Sequence, residues 1–114
     1  MIDPKPGQVL LFQNKYMHTH WWVIEIITQQ EAKKRQLEDG MKKLMHNKTE
    51  QDNPDTIYYV YHAPHGTHVN YYYSARKKEI DGWERLATNN KIEVFENTPV
   101  KDVLEIVRAM EKIM

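Results

Sequence analysis

Histidine supplies the first candidate chemistry in this sequence. His18 and His20 are separated by a single residue, so on a β-strand both imidazoles would point to the same side. Three further histidines, His62, His65 and His68, follow one another at intervals of three residues. Imidazole binds divalent metals and also exchanges protons near neutral pH. The spacing therefore indicates either a metal site or an acid–base site.

A metal site would have a recognisable sequence form. The histidine pair, followed after four residues by Glu25, resembles the first metal motif of the cupin family, and Pro64-x-Gly66-x-His68 resembles the second. The resemblance implies a centre for Fe, Mn, Ni or Zn, held by three nitrogens and a carboxylate. The implied ligands are His18, His20, Glu25 and His68. Our prediction is nevertheless that no metal and no other cofactor is bound. His18 precedes the strand pattern, and a ligand in a loop loses conformational entropy when it is ordered.

Metal-free cleavage of a phosphodiester is the second chemistry that these histidines allow. It requires two groups that titrate near neutral pH and a cation that stabilises the charge developing on phosphorus oxygens. His20, His65 or His68 could supply the acid and the base, and Arg76 or Lys77 could supply the cation. No spacing fixes the geometry of these groups, so both alternatives stay open.

A tyrosine-rich hairpin lies in the middle of the chain and holds six of the seven tyrosines. Pro64 and Gly66 predict a turn between two antiparallel strands, Ile57 to His62 and His68 to Ser74. Tyrosine offers a large contact area with a polar tip, so one face of this hairpin could stack bases or bind a protein. The alternate tyrosines would serve the core: Tyr59, Tyr61, Tyr71 and Tyr73. The predicted contact residues are Trp21, Tyr58, His65, His68, Tyr72 and Arg76.

The apolar pattern predicts the strands that position these residues. Val9 to Phe12 is a short apolar strand, and His20 to Ile27 is the strongest strand of the chain. Period two assigns the residues of the second strand to two faces. One face, predicted to be core, holds Trp22, Ile24 and Ile26. The other, predicted to be partly covered, holds Trp21, Val23 and Glu25.

Two helices are predicted. Thr28 and Glu31 match a capping box, which begins a helical stretch that runs to about His46 and precedes a polar loop. Gly40 weakens its middle, so this stretch is either one helix or two short ones. Residues 29–55, this helix and loop together, are predicted to be an insertion after the second strand. Residues 98–114 form the second helix, with Thr98 as N-cap and Pro99 at the first helical position. Its apolar stripe consists of Val100, Val103, Leu104, Val107, Met110 and Ile113.

These elements predict one α+β domain over residues 1–114. Trp83 to Leu86 fits either a strand or one helical turn, and Lys91 to Glu96 alternates as a strand. The expected architecture is a small antiparallel β-barrel or strongly bent sheet of the SH3-like kind, with the second helix packed on the sheet. The first two strands, PGQVLLF and WWVIEI, resemble the opening of such barrels in toxin-type ribonucleases of the PemK class.

Composition narrows the class of function. Lys plus Arg and Asp plus Glu are both 16, and this zero net charge argues against a dedicated duplex-DNA binder. The absence of cysteine fits a reducing compartment, and no apolar run approaches the ~18 residues of a membrane span. The abundance of Asn, Lys, Tyr and Ile is typical of an AT-rich bacterial or phage genome.

We expect a small cytoplasmic module that binds a protein or a single-stranded nucleic acid. The alternative is a histidine-based enzyme, either cupin-like or a metal-free phosphodiesterase or ribonuclease.

Overall fold

The computed structural model describes residues 3–16, 21–40, 56–63 and 71–113. These residues form a mixed α+β fold, which confirms the predicted class. The strands are β1 (Gln8–Gln13), β2 (Trp21–Ile27), β3 (Glu38–Asp39), β4 (Thr56–His62), β5 (Tyr71–Arg76) and β6 (Glu93–Glu96). The helices are α1 (Gln29–Lys34), α2 (Lys77–Asp81), α3 (Trp83–Leu86) and α4 (Val100–Ile113), and Thr88–Asn90 forms a 3-10 turn.

All six strands belong to one sheet, in the order β3-β5-β4-β2-β1-β6. Neighbouring strands are antiparallel except β3, which runs parallel to β5. Within the described ranges the two outermost strands, β3 and β6, do not pair with each other, so the sheet is open. The expected SH3-like barrel is therefore not confirmed.

Helices cover both faces of the sheet. One face, here called the α4 face, carries Val9, Leu11 and Val23, and they pack against Val103 and Val107 of α4. The opposite face, here called the α3 face, is lined by Leu10, Phe12, Ile24 and Ile26, with Trp83 of α3 packed against them. The predicted two-sided pattern of β2 is thus correct. Both sides of this central strand contribute to the core, as is usual for a strand with helices on each face.

The C-terminal helix forms where the sequence places it. Apolar residues at intervals of three and four make one stripe, and its members Val103 and Val107 are completely buried. The start of the helix differs by one residue from the prediction. Thr98 donates its hydroxyl to the Glu96 carbonyl (3.0 Å) and does not cap the helix, while the Pro99 carbonyl accepts the Asp102 amide (3.0 Å). The side chain of Ile113 lies outside the described residues.

The first helix begins as predicted but ends twelve residues before His46. Thr28 accepts a hydrogen bond from the Glu31 amide (2.9 Å), as its capping role requires. The chain then leaves the helix through Gln36, whose φ is 62°. The amides of Gln36 and Leu37 donate to the carbonyls of Lys33 and Ala32, both at 3.0 Å. This pair of bonds is a Schellman motif, and it closes the helix without the usual glycine.

The predicted insertion is joined to the rest of the fold over residues 29–40. Ala32 is completely buried against Ile27, Val60 and Tyr72, so α1 contributes to the core. Residues Glu38–Asp39 extend the sheet as β3, and the Gly40 amide donates to the Tyr72 carbonyl (2.7 Å). The expectation of a separate insertion is therefore corrected for this part. Residues 41–55 lie outside the described residues.

Two short helices follow β5 and bring Trp83 onto the sheet. The charged segment after Arg76, for which no element was predicted, forms α2. Its one buried residue is Ile80, which anchors this short helix in the fold. Gly82 ends α2 and begins α3. Of the two alternatives for residues 83–86, a strand or a helical turn, the structure shows the helical turn. This turn places Trp83 against Phe12 and Trp22.

Candidate functional site

The predicted site residues fall into two groups. His18, His20, His65 and His68 lie outside the described residues, as does the turn from Pro64 to Gly66. The others are described, and the strand register places them on one face of the sheet, the α4 face. They are Trp21, Glu25, Tyr58, Tyr72 and Arg76.

The predicted contact residues on this face are not freely exposed. Tyr72 has only 7% of its surface accessible, so the expectation that it is an exposed contact residue is wrong. The reason is α1, whose Ala32 packs in the same cluster as Tyr72. Tyr58 is half-buried beside it, with the two ring centroids 6.0 Å apart. These two tyrosines therefore belong to the packing under α1.

Trp21 and Arg76 are also half-buried, each for a local reason. Trp21 packs against the cluster under α4, and its indole nitrogen is buried with no hydrogen-bond partner among the described residues. Arg76 stands at the junction of β5 and α2, where its amide donates to the Glu79 carboxylate (3.1 Å). Both residues thus help to join helices to the sheet.

The opposite face carries a surface of contacting aromatic rings. We call this set the aromatic surface: Trp22, Tyr59, Tyr61, Tyr73 and Trp83. Trp83 is its centre, with its ring centroid 5.2 Å from that of Tyr59 and 6.3 Å from that of Trp22. Tyr73 extends the surface from Tyr59 at 5.6 Å. All five residues are half-buried, so the three tyrosines of this surface, which were predicted to be core, retain accessible area.

Two tyrosine hydroxyls of the aromatic surface, those of Tyr59 and Tyr61, stay protonated over a wide pH range. Burial, with smaller contributions from Tyr73 and Glu79, raises the pKa of Tyr59 to about 12. Burial also raises the pKa of Tyr61 above its ordinary value. None of the three tyrosine hydroxyls of this surface hydrogen-bonds to a side chain or backbone group within the described ranges.

A polar network lies on the α4 face between the areas that α1 and α4 cover. Arg35, just after α1, donates to both carboxylate oxygens of Glu25 (2.9 and 2.7 Å) and to Glu31 (2.6 Å). The Nε2 atom of His62 lies 3.0 Å from Oε1 of Glu25. Strands β2 and β4 are neighbours, which brings Glu25 and His62 together although 37 residues separate them. We call these four residues the Glu25 network.

The Glu25 network holds one carboxylate firmly in its charged form. Burial disfavours ionisation of Glu25, but hydrogen bonds from His62 and Arg35 outweigh it and lower the pKa of Glu25 to about 2. The same contact raises the pKa of Arg35, chiefly through its hydrogen bonds to Glu25. At neutral pH, Glu25 is therefore an anion that accepts hydrogen bonds from two sides.

This geometry bears on the cupin-like ligand set. Both oxygens of Glu25 are engaged by Arg35, so a metal ion at this carboxylate would have to displace the guanidinium. Among the described residues, no group of three or more potential ligands surrounds a common point. The three histidines of that ligand set lie outside the described residues.

A local sequence pattern exists for only part of the Glu25 network. Arg35 follows Glu31 by four residues within a helix that Thr28 begins, and this spacing is a recognised pattern for an ion pair. This spacing could have identified the ion pair between Arg35 and Glu31. The contact between Glu25 and His62 has no local pattern, because it depends on the register between β2 and β4.

Comparisons of the chain with protein families, characterised proteins and solved structures find no match. The fold and the two sites must therefore be interpreted from their own geometry. No helix within the described ranges is long and apolar enough to cross a membrane.

Proposed function

We propose that this protein is a small cytoplasmic binding module and that it binds a protein partner through the aromatic surface on the α3 face. The observation that carries the proposal is the continuity of the surface. Five rings from β2, β4, β5 and α3 form a continuous chain of contacts in space, and none of them is fully buried. The tyrosine-rich hairpin is thus still the binding element, but through Tyr59, Tyr61 and Tyr73.

The chemistry of the aromatic surface is typical of interface hot spots. Tyrosine and tryptophan combine a large apolar area with a polar tip, and they are enriched among the residues that dominate binding energy. The hydroxyls of Tyr59, Tyr61 and Tyr73 have no hydrogen-bond partner in the described part of the chain. A partner could bury the apolar area of the rings and, in the same complex, accept hydrogen bonds from these hydroxyls.

The charges near the surface favour a protein over a nucleic acid. The carboxylate of Glu79 is close enough to Tyr59 to contribute to its raised pKa. A phosphate backbone would be repelled by this carboxylate, and the whole chain has no excess of positive charge. A peptide segment with apolar and basic side chains would be complementary to it.

The test compares two tyrosine variants. Tyr61→Ser removes a half-buried ring of the aromatic surface, while Tyr16→Ser removes a tyrosine that is 72% exposed and lies outside that surface. Proteins from a bacterial lysate that bind the wild type are quantified by mass spectrometry for each variant. A candidate is then purified and titrated against all three proteins by calorimetry. We expect at least a roughly tenfold weaker affinity for Tyr61→Ser only, since hot-spot truncations cost about 2 kcal/mol or more.

Two controls make the result decisive. Unfolding curves of Tyr61→Ser show whether the variant stays folded, and Tyr61→Phe separates the contribution of the hydroxyl from that of the ring. Fluorescently labelled oligo-uridine and oligo-thymidine are titrated in parallel. Equal affinity of the partner for wild type and Tyr61→Ser would contradict the proposal. Tight, salt-dependent binding of an oligonucleotide that Tyr61→Ser abolishes would replace the protein partner with a single-stranded nucleic acid.

A further inference from the structure

The Glu25 network determines which nitrogen of His62 carries a proton. Both oxygens of Glu25 accept hydrogen bonds from the Arg35 guanidinium (2.9 and 2.7 Å), as those of a carboxylate anion do, so they cannot donate one to His62. The Nε2 atom of His62, 3.0 Å from Oε1 of Glu25, must therefore be the donor. In the neutral imidazole only one nitrogen carries hydrogen, and the other carries a lone pair. The lone pair of neutral His62 is consequently on Nδ1.

The carboxylate that orients His62 is itself held in place. Arg35 donates to both oxygens of Glu25 and also to Glu31, so the guanidinium cannot rotate without losing several charged hydrogen bonds. The side chain of Glu25 is 14% exposed and that of His62 is 24% exposed. The imidazole is thus the more exposed of the two groups. Its Nδ1 atom makes no hydrogen bond within the described part of the chain.

We propose that Nδ1 of His62 is the hydrogen-bond-accepting atom of a second site, with Glu25 and Arg35 as its positioning residues. The ligand is one that presents a hydroxyl group or a water molecule to this nitrogen. A carboxylate behind a histidine fixes both its tautomer and its ring orientation. The same arrangement leaves the lone pair of Nδ1 as a hydrogen-bond acceptor for the ligand's hydroxyl group or water. This site lies on the α4 face and does not depend on the aromatic surface.

The first test reads the tautomer of His62 directly. In proton–nitrogen correlation spectra at alkaline pH, a pyrrole-type shift is expected for Nε2 and a pyridine-type shift for Nδ1. Glu25→Gln provides the contrast, because its amide group can donate to Nε2 and so shift the proton to Nδ1. Glu31→Gln is the matched control, since it leaves Glu25 unchanged. A protonated Nδ1 in the wild type would overturn the proposal, whether or not the variants fold.

The second test asks whether the lone pair on Nδ1 is reachable. Diethyl pyrocarbonate forms a bond between its carbonyl carbon and an unprotonated imidazole nitrogen. Ethyl carbonate leaves with the ring proton and decomposes to ethanol and carbon dioxide. Site-resolved mass spectrometry gives the rate at His62. We expect Glu25→Gln to lower this rate roughly tenfold, because the charged acceptor that keeps the proton on Nε2 is lost and Nδ1 is then protonated in most molecules. Glu31→Gln should change it less than about twofold. A wild-type rate no faster than that of Glu25→Gln would contradict the site.

Discussion

Acid should destabilise this protein in large part through a single carboxylate, Glu25. Its pKa is about 2 in the folded protein, against an ordinary value of 4.5. A carboxyl group whose pKa is lowered by folding stabilises the folded state when it is ionised. The contribution of Glu25 is therefore fully present above about pH 5 and is lost as the pH falls toward 2. Glu25→Gln keeps the shape of the side chain and removes this dependence.

The expected size follows from the contacts of Glu25. The difference between 4.5 and about 2 corresponds to at most about 3–4 kcal/mol, at about 1.4 kcal/mol per pKa unit. Solvent reaches the outer partner, since the side chain of Arg35 is 38% exposed, and this screening reduces the value. We therefore expect Glu25 to contribute roughly 2 kcal/mol to the free energy of unfolding at neutral pH.

Urea unfolding at a series of pH values between about 2 and 6 measures this contribution. Tryptophan fluorescence is a suitable probe, because Trp22 and Trp83 are half-buried and pack against the core of the α3 face. The wild type should exceed Glu25→Gln in stability by roughly 2 kcal/mol near pH 6, and the two curves should converge near pH 2. Glu105→Gln, on an exposed position of α4, is the matched control and should parallel the wild type. A constant difference between wild type and Glu25→Gln at every pH would refute the reasoning.

Two further predictions concern packing. Val107→Asp should lower the free energy of unfolding by about 4 kcal/mol, because it buries an unpaired charge at a completely buried position. The neighbouring Ile106→Asp, at a position that is 39% exposed, should cost less than about 1 kcal/mol, and equal losses in urea unfolding would show that α4 is not docked. Gly40→Ala should cost about 1–3 kcal/mol, since its Cβ would lie 2.5 Å from Cε1 of Tyr73. Most of that loss should disappear when Tyr73→Ala is combined with it, and an undiminished loss would place the strain elsewhere.

The elements predicted correctly from the sequence are those with long, regular apolar patterns. Helix α4 has apolar residues at helical spacing over fourteen positions, and few other structures bury such a stripe. Strand β2 alternates two apolar sets, and both sets prove to be covered. In each case many apolar residues repeat with the same period, and the hydrophobic effect buries them together. A wrong assignment at one position therefore does not change the predicted element.

The elements that were missed depend on interactions that no local pattern reveals. Helix α1 ends through Gln36 in a left-handed conformation, whereas the sequence continues with good helix formers. What stabilises this end is Leu37, which packs with Ala32 in the core beneath the helix. The choice between Tyr72 and Tyr73 as the more exposed ring likewise depends on which helix covers which face. Alternation predicts that they differ, but only the packing of α1 decides that Tyr72 is the buried one.

The two candidate sites are adjacent in sequence but separated by the sheet. Tyr61 and His62 are consecutive residues of β4, paired with Ile24 and Val23 of β2 respectively. Because successive side chains of a strand point to opposite faces, one residue belongs to the aromatic surface and the other to the Glu25 network. The backbone of the sheet therefore lies between the two side chains. A variant at Tyr61 should therefore weaken partner binding without altering the His62 tautomer. Glu25→Gln should alter that tautomer and leave the partner's affinity unchanged. The proposal for either site can therefore be refuted while the other stands.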